Sequence, residues 1–283
     1  MFLREKVPDD SKYLRDRSSL RGHARYVILP NDEAELREGI RYASKGNTKV
    51  TISGNRTGKS GGAVPCGGDI MSMENLRGII GVGEDEVGPY IRVLSCTTVS
   101  AFNNAVFADG VQGLVPENKD RFTGLKFPVR ASPESSIGGC ISANRSGIRP
   151  WVRRIKVVFS DSTFMTIERG EYKADGRRMT FPAGRNYFSF DLPDYDSEDD
   201  FGPKISEGMD LIDLFIGSEG VFGIITEADI YALPEASDSP DQDFGKMNNN
   251  YLKEKYGPKA VDDLKRIKQI LDTNYILNIG NLF

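Results

Sequence analysis

Ser53–Gly62 reads SGNRTGKSGG and follows directly on Lys49–Ile52 (KVTI), a short run of strand character. Much later in the chain, Ser135–Gly147 reads SSIGGCISANRSG. Glycine in such turns reaches positive φ without steric cost and leaves neighbouring N–H groups uncovered. Successive uncovered N–H groups make a concave site for an anion such as a phosphate or pyrophosphate. Two such loops in one chain point to a long, doubly charged ligand clamped from two sides.

The segments around the first loop set the fold class. Arg25–Leu29 (RYVIL) ends at Pro30 and reads as a strand. Asn31 or Asp32 can cap the following helix, with Glu33 and Glu35 favourable to the dipole of its first turn. Over Glu33–Ser44, Leu36, Ile40 and Ala43 share one face, and the helix stops near Gly46. Strand, helix and the KVTI strand together predict a right-handed parallel crossover. Ile70–Gly83 and Tyr90–Leu94 add strand material, and Thr98–Asp109 predicts a helix with Val99, Phe102, Ala105 and Val106 inward. Trp151–Phe159 and Thr163–Glu168 read as a hairpin about Ser160–Ser162. Arg169–Met209 is polar and reads as irregular; its acidic run Asp194–Asp200 reads as a solvated loop rather than a metal site. Gly217–Thr226 (GSEGVFGIIT) leads into a last strand, Ile225–Leu233, and Lys259–Leu271 predicts an amphipathic helix followed by an extended tail. The class is α+β: a small parallel unit, then a larger, mainly antiparallel part.

At 283 residues the chain can bury a sizeable core. Its 39% hydrophobic and 28% charged residues are ordinary for a globular protein, and a formal charge of −4 lacks the basic footprint of a nucleic-acid binder. No apolar run is long enough to cross a bilayer. The charged N-terminal stretch has no apolar core of a secretory signal, so the cytoplasm is the expected location. Cys66, Cys96 and Cys140 are widely spaced, which argues against a disulfide framework or a structural zinc site. His23, the single histidine, lies in a charged segment with no nucleophile motif nearby and reads as a surface residue. The hard chemistry must then come from a cofactor.

The stretch from Ser53 to Pro65 (SGNRTGKSGGAVP) resembles the pyrophosphate loop of the FAD-binding fold shared by vanillyl-alcohol oxidase and p-cresol methylhydroxylase. The likeness is strongest to the glycolate oxidase and D-lactate dehydrogenase branch of FAD-linked oxidases. Ser135–Asn144 (SSIGGCISAN) is similar to the second flavin loop of that fold, also seen in alkyl-dihydroxyacetonephosphate synthases. Phe215–Thr226 resembles its third segment, and Lys265–Phe283 its C-terminal helix and tail. The resemblance implies non-covalent FAD. Gly54, Asn55, Arg56, Thr57, Gly58, Lys59 and Ser60 would cradle the pyrophosphate, chiefly through backbone N–H groups. Ser132, Ser135, Ser136 and Ile137, then Gly138, Gly139, Ile141, Ser142 and Asn144 within the segment to Arg145, would line the ribityl and flavin side. Glu219, Gly220, Gly223, Ile224 and Ile225 would close around the adenine end, Ile225 through its main chain. The implied organisation is an N-terminal extension (1–22), an FAD-binding domain (23–235, with subdomains about 23–85 and 86–235), a linker (236–258) and a C-terminal helix and tail (259–283).

Three positions depart from the family pattern. Arg56 stands where glycine is usual, and could either add a charge-assisted contact to phosphate or mark a reshaped loop. Ser162 replaces the glycine of the hairpin turn, and Ile279 the proline of a terminal Asn-Pro-Gly. A larger departure is that such relatives carry a cap domain between the last flavin-binding strand and the C-terminal helix. Here that interval is a linker-like stretch from Pro234 to about Lys259. Oxidising a 2-hydroxy acid needs a base, a cation for the carboxylate and exclusion of water. The chain offers no clear trio; Arg121, Lys126 and Arg130 read as solvated charges, and the catalytic residues stay unassigned. Two expectations follow. One is an enzyme unit whose site is completed by a partner, an iron–sulfur or second flavin subunit, or by a second copy. The other is a flavoprotein module that only passes electrons within a complex. In either case an uncapped flavin would expose an apolar patch, which Tyr187–Tyr195 (YFSFDLPDY) is a candidate to cover, though packing against the sheet explains that stretch equally well.

Overall fold

The computed structural model describes residues 2–105, 122, 124–184, 186–197, 202–237 and 249–280. The first unit is a four-stranded sheet of β1 (Leu3–Lys6), β2 (Tyr26–Leu29), β3 (Val50–Ser53) and β4 (Asp69–Ser72), in the order β1-β2-β4-β3. β2, β4 and β3 run parallel, and β1 pairs antiparallel on the outer edge of β2. β4 therefore lies between the two strands that the crossover connects. The crossover helix α1 (Glu33–Lys45) starts where the sequence predicts: Asp32 accepts from the Glu35 N–H at 2.8 Å, and Glu35 accepts in return from the Asn31 N–H at 3.0 Å. Its Leu36, Ile40 and Ala43 are fully buried with Ile28 and Met71.

The second unit is a five-stranded antiparallel sheet. It comprises β5 (Ile79–Glu84), β6 (Pro89–Leu94), β7 (Val152–Val158), β8 (Phe164–Glu168) and β11 (Ile224–Tyr231), in the order β5-β6-β11-β7-β8. At its centre Asp229 is fully buried and takes two hydrogen bonds from Arg92 and two from Arg154, all between 2.8 and 2.9 Å. Burial pushes this carboxyl up, but the two guanidinium groups outweigh it and hold it below the usual carboxylate range. Helix α2 (Val99–Ala105) buries Val99 and Phe102; the predicted continuation through Val106 to Asp109 lies outside the described residues. A short helix α3 (Ile137–Ser142) opens the second glycine loop, and α4 (Ile212–Phe215) precedes the third turn.

Two regions differ from the sequence expectation. Within Arg169–Met209, read as irregular, the chain forms a hairpin of β9 (Arg178–Ala183) and β10 (Asn186–Asp191). Met179, Phe181 and Ala183 alternate inward along β9, and Phe188 and Phe190 join Phe159 and Phe181 in one aromatic cluster. Tyr195 stacks on Tyr256 with ring centroids 4.3 Å apart. Phe188, Phe190 and Tyr195 of this stretch thus pack inward, the other reading of the sequence, while Tyr187 stays exposed. In the acidic run, Asp194 and Asp196 face Arg177; residues 198–200 lie outside the described residues. Within 236–258, α5 (Asn249–Tyr256) is helical and buries Leu252 completely, so composition alone hid an apolar anchor there.

Helix α6 (Pro258–Leu271) buries Val261, Leu264, Ile267 and Leu271. Beyond it the tail returns to the first sheet. The Val50 N–H donates to Ile276 O at 2.7 Å, and the Asn278 N–H donates to Val50 O at 2.8 Å, extending the sheet past β3. The smaller core also takes in Cys96, Val158 and Ile224 from the second unit, so the two units meet at the ends of β3, β6, β7 and β11.

Candidate cofactor-binding site

The cleft lies at that meeting. About 940 Å³ of space, the open mouth and its solvent included, lies between its walls. All three glycine-bearing turns line it. Of the residues expected to hold FAD, the walls carry Gly54, Asn55, Arg56, Thr57, Gly58 and Ser60 from the first turn. Ser135, Ser136, Gly138, Gly139 and Ser142 come from the second, and Glu219, Gly220, Gly223, Ile224 and Ile225 from the third.

Five expected residues do not line it. Lys59 is exposed at the rim of the first turn. Ser132 sits in the approach to the second loop, where its hydroxyl accepts from Arg17 at 3.4 Å. The Ile137 and Ile141 side chains are fully buried in the larger core. Asn144 is fully buried too, and its Oδ1 accepts from the Arg149 N–H at 3.1 Å. These residues hold the loop in place from behind. Lys126 and Arg130 are exposed and off the cleft, and Arg121 lies outside the described residues. His23 is exposed as well; its N–H donates to Pro65 O at 3.1 Å, and it does not line the cleft.

A chain of hydrogen bonds ties the turns to one another. The Ile52 N–H donates to Asn278 Oδ1, and Asn278 Nδ2 donates to Glu219 O, both at 2.6 Å. The Glu219 N–H donates to Ser142 O at 2.8 Å, and the Gly217 N–H to Ile141 O at 3.0 Å, stapling the third turn to α3. On the other side Asn55 Nδ2 donates to Glu134 O at 2.8 Å, and the Thr57 and Ser135 hydroxyls lie 3.0 Å apart. Asn278 can reach both partners because Lys268 fixes the tail. That fully buried ammonium donates to Val221 O and Leu277 O at 2.7 Å and to Asp272 at 2.6 Å. The glycines permit the close approaches. A Cβ on Gly54 would lie 2.6 Å from Ser136 Oγ, and one on Gly138 would lie 2.8 Å from Ser95 Cβ.

The departures at Arg56 and Ser162 share an explanation. Both residues adopt left-handed backbone, φ 59° and 67°, where glycine is the low-cost residue and an L side chain costs about 1–2 kcal/mol. Each uses its side chain or carbonyl to compensate. Arg56 donates to Gly54 O at 2.9 Å and Ser53 Oγ at 3.3 Å and faces Glu74 at 3.4 Å, so its charge is paired within the loop's support. Ser162 accepts from Arg37 through its carbonyl and from Arg41 through its hydroxyl, fastening the hairpin to α1.

Behind the first loop stands a polar cluster. Glu74 accepts from the Tyr13 hydroxyl at 2.5 Å and from Lys12 at 3.1 Å. Burial raises the Glu74 carboxyl, but the Tyr13 and Lys12 hydrogen bonds outweigh it and hold it below its usual range. Burial, reinforced by Glu74, pushes the Tyr13 phenol up to about 12. Cys96 donates to Asn55 Oδ1 at 3.3 Å, and burial pushes its thiol up to about 11, so it is an inert packing group at neutral pH.

FAD fits this site on two observations. Ser95 Oγ is buried on the cleft wall with no hydrogen-bond partner, an orphan that a polar ligand would satisfy. The ionisable side chains on the wall nearly balance: Arg56 and Arg145 against Asp16 and Glu219. A diphosphate must therefore be gripped mainly by main-chain amides, as the turns allow. Sequence reasoning missed Asp16, Ile52, Met73, Ser95 and Asn278 on the wall. Of these only Asn278 carried a signal, as the asparagine of the family's terminal motif.

Comparison with known proteins agrees with this geometry. A family model described as "FAD binding domain" matches residues 24–168, just over half of the chain. A D-lactate dehydrogenase of Archaeoglobus fulgidus is 28% identical over 217 residues, 75% of this chain and 39% of that protein. A D-2-hydroxyglutarate dehydrogenase of Xanthomonas citri pv. viticola is 28% identical over 213 residues, 71% of this chain and 35% of that one. A solved alkyldihydroxyacetonephosphate synthase superposes with a TM-score of 0.51 at 13% identity, over 78% of this chain and 38% of the other, a likeness of fold. The chain spans about two fifths or less of the length of these relatives.

Proposed function

This chain belongs to the FAD-binding domain family, and from that premise we propose that it is the flavin-holding unit of an oxidoreductase that oxidises a 2-hydroxy acid at its CH–OH group. Its cofactor is FAD. The observation that carries the proposal is the convergence of three separated turns on one cleft, tied by Asn278, with the Ser95 hydroxyl left for a ligand. Gly54–Ser60 would take the diphosphate through main-chain N–H groups. Ser135–Ser142 would take the ribityl and ring side, and Glu219–Ile225 the adenine end. When bound, FAD supplies a two-electron acceptor next to the substrate carbon. The chain's own residues would bind and orient it and keep water from its inner face. Attachment is non-covalent in this reading: His23 is off the cleft, and Cys140, at the cleft's edge, is buried in the larger core.

The 2-hydroxy acid comes from the relatives, which are dehydrogenases of D-lactate and D-2-hydroxyglutarate. Among the described residues lining the cleft there is no histidine; of its two arginines, Arg56 is paired with Glu74 and Arg145 is buried. The base for the hydroxyl and the cation for the carboxylate would therefore come from a partner polypeptide, such as an iron–sulfur or second flavin subunit, or from a second copy. The test is the absorption spectrum of the purified chain, release of its pigment with acid, and reduction of an artificial acceptor with D-lactate or D-2-hydroxyglutarate. A chain that stays colourless with excess FAD overturns the cofactor assignment. FAD binding without turnover by the chain alone, and with turnover once its partner is added, is the expected result. Turnover by the isolated monomer would remove the need for a partner.

A further inference from the structure

Residues 8–22 precede the family match, yet they form a strap across the mouth of the first glycine loop. Tyr13 and Leu14 anchor it, buried with Val27 and Ile70. The Gly22 N–H donates to Leu14 O at 2.9 Å, and an antiparallel bridge joins Arg15 to Arg21, closing the strap into a narrow turn. At the tip, the Arg17 N–H donates to Gly58 O at 2.9 Å, while its guanidinium reaches Ser132 Oγ and Glu134 on the approach to the second loop. The strap therefore touches both loops at once.

Asp16 sits at that tip and lines the cleft. Its Oδ1 accepts from the Ser18 N–H at 2.8 Å, which fixes the carboxylate's orientation. Its Oδ2 is buried and has no hydrogen-bond partner. This oxygen faces Gly58, where a Cβ would lie 3.9 Å from it. A buried acceptor left unpaired is costly, more so when charged, so its place in the fold calls for a donor supplied from outside the chain. An ionised carboxylate only accepts. The phosphate oxygens of a dinucleotide only accept as well and would repel it. The sugar hydroxyls flanking the diphosphate donate.

We propose that Asp16 is a ligand-binding residue, accepting a hydrogen bond from a sugar hydroxyl of the bound dinucleotide, and that the strap exists to carry it there. The proposal rests on the FAD assignment above. The sign of the effect separates it from simple proximity to the phosphates: removing a carboxylate that merely sits near a diphosphate tightens binding, whereas removing one that holds a hydroxyl weakens it.

The experiment strips the full chain of flavin and titrates FAD by quenching of flavin fluorescence in the wild type, Asp16→Ala and Asp16→Asn. The expected loss is about 10- to 100-fold in affinity for Asp16→Ala, the range of a charge-assisted hydrogen bond, and several-fold for Asp16→Asn, which keeps the Ser18 contact. The thermal midpoint of the stripped Asp16→Asn chain should stay unchanged, because the lost Oδ2 has no partner in the protein. Competition of FAD with ADP and with FMN distinguishes the two sugars: the half whose affinity falls carries the hydroxyl. Unchanged or tighter FAD binding by both variants overturns the proposal while leaving the cofactor assignment intact. So does a drop in the stripped chain's midpoint that accounts for the weaker binding. Failure of the wild type to bind FAD overturns both.

Discussion

The two glycine loops face each other across one cleft but are held by different forces. The second is part of the core. Ile137 and Ile141 are fully buried, each worth about 1.5–3 kcal/mol. Its backbone is fixed as well: the Ile137 N–H donates to Thr97 O at 2.9 Å and the Gly138 N–H to Ser95 O at 2.7 Å. The first loop is held from outside by the Arg17 N–H of the strap on Gly58 O, and by its own Arg56, which donates to Gly54 O and faces Glu74 and the Tyr13 ring. The exposed Arg17–Glu134 ion pair, which joins the strap to the approach of the second loop, adds about 0–1 kcal/mol. The second loop therefore cannot shift without unfolding its surroundings, whereas the first can loosen alone. In the proposed arrangement the second loop would set where the ligand lies and the first how long it stays.

Substitution of the glycines tests that division most directly. At Gly138 a Cβ would meet Ser95 Cβ at 2.8 Å and the Ser95 carbonyl oxygen at 3.0 Å, and backbone cannot turn aside. Gly138→Ala is expected to cost the stripped chain about 3 kcal/mol, the upper end for overpacking, read by thermal or urea unfolding. At Gly54 the obstacle is the Ser136 hydroxyl, a small side chain that can rotate. Gly54→Ala is expected to leave the unfolding midpoint nearly unchanged and to weaken FAD binding. Equal stability losses in the two variants would break the comparison.

Asn278 belongs to neither loop and ties the strand that leads into the first to the third turn. Asn278→Ala removes the acceptor of the Ile52 N–H and the side-chain donor to the Glu219 carbonyl, and places alanine at φ 44°. The expected loss is about 2 kcal/mol in stability, together with weaker FAD binding. Asn278→Asp, which keeps the acceptor for Ile52 and loses the donor to Glu219, should recover part of the stability. A full recovery of FAD affinity by that variant would show that the third turn needs no fastening.

Much of this was readable from the chain, for physical reasons that differ by region. The Asp32 cap and the spacing of Leu36, Ile40 and Ala43 specify α1 locally, and each glycine turn follows or precedes a strand of plain apolar pattern. The turns thus announced, from sequence alone, the cleft that they line together. The strap did not announce its role, because its anchors, Tyr13 and Leu14, are two apolar residues in a run of charges whose partners lie far along the chain. In β9 the inward alternation of Met179, Phe181 and Ala183 was present, but Pro182 within it and the polar residues around it masked the period. Ser95 is the clearest limit. A lone serine at a strand end has no pattern, and only the fold shows that it lines the cleft with its buried hydroxyl unpartnered.

The smallest effect is also the one that isolates the first loop. Glu74 is ionised at neutral pH with its folded value depressed, so its contribution is present above the ordinary carboxylate value of about 4.3 and fades as pH falls through the lower folded value. Tyr13 has the opposite sign: its folded value, raised to about 12, stabilises the loop below the ordinary phenol value of about 10 and fades as pH rises from there. FAD affinity should therefore be flat through neutral pH and weaken on both sides. Glu74→Gln is expected to weaken binding several-fold at pH 7 while changing the stripped chain's stability by no more than about 1 kcal/mol, the net worth of a partly exposed hydrogen bond. Tyr13→Phe should remove the alkaline limb and leave the acid limb in place, measured by FAD titration across pH. If Glu74→Gln instead destabilises the stripped chain as much as Gly138→Ala, the first loop is as much a part of the core as the second, and the separation between positioning and retention is lost.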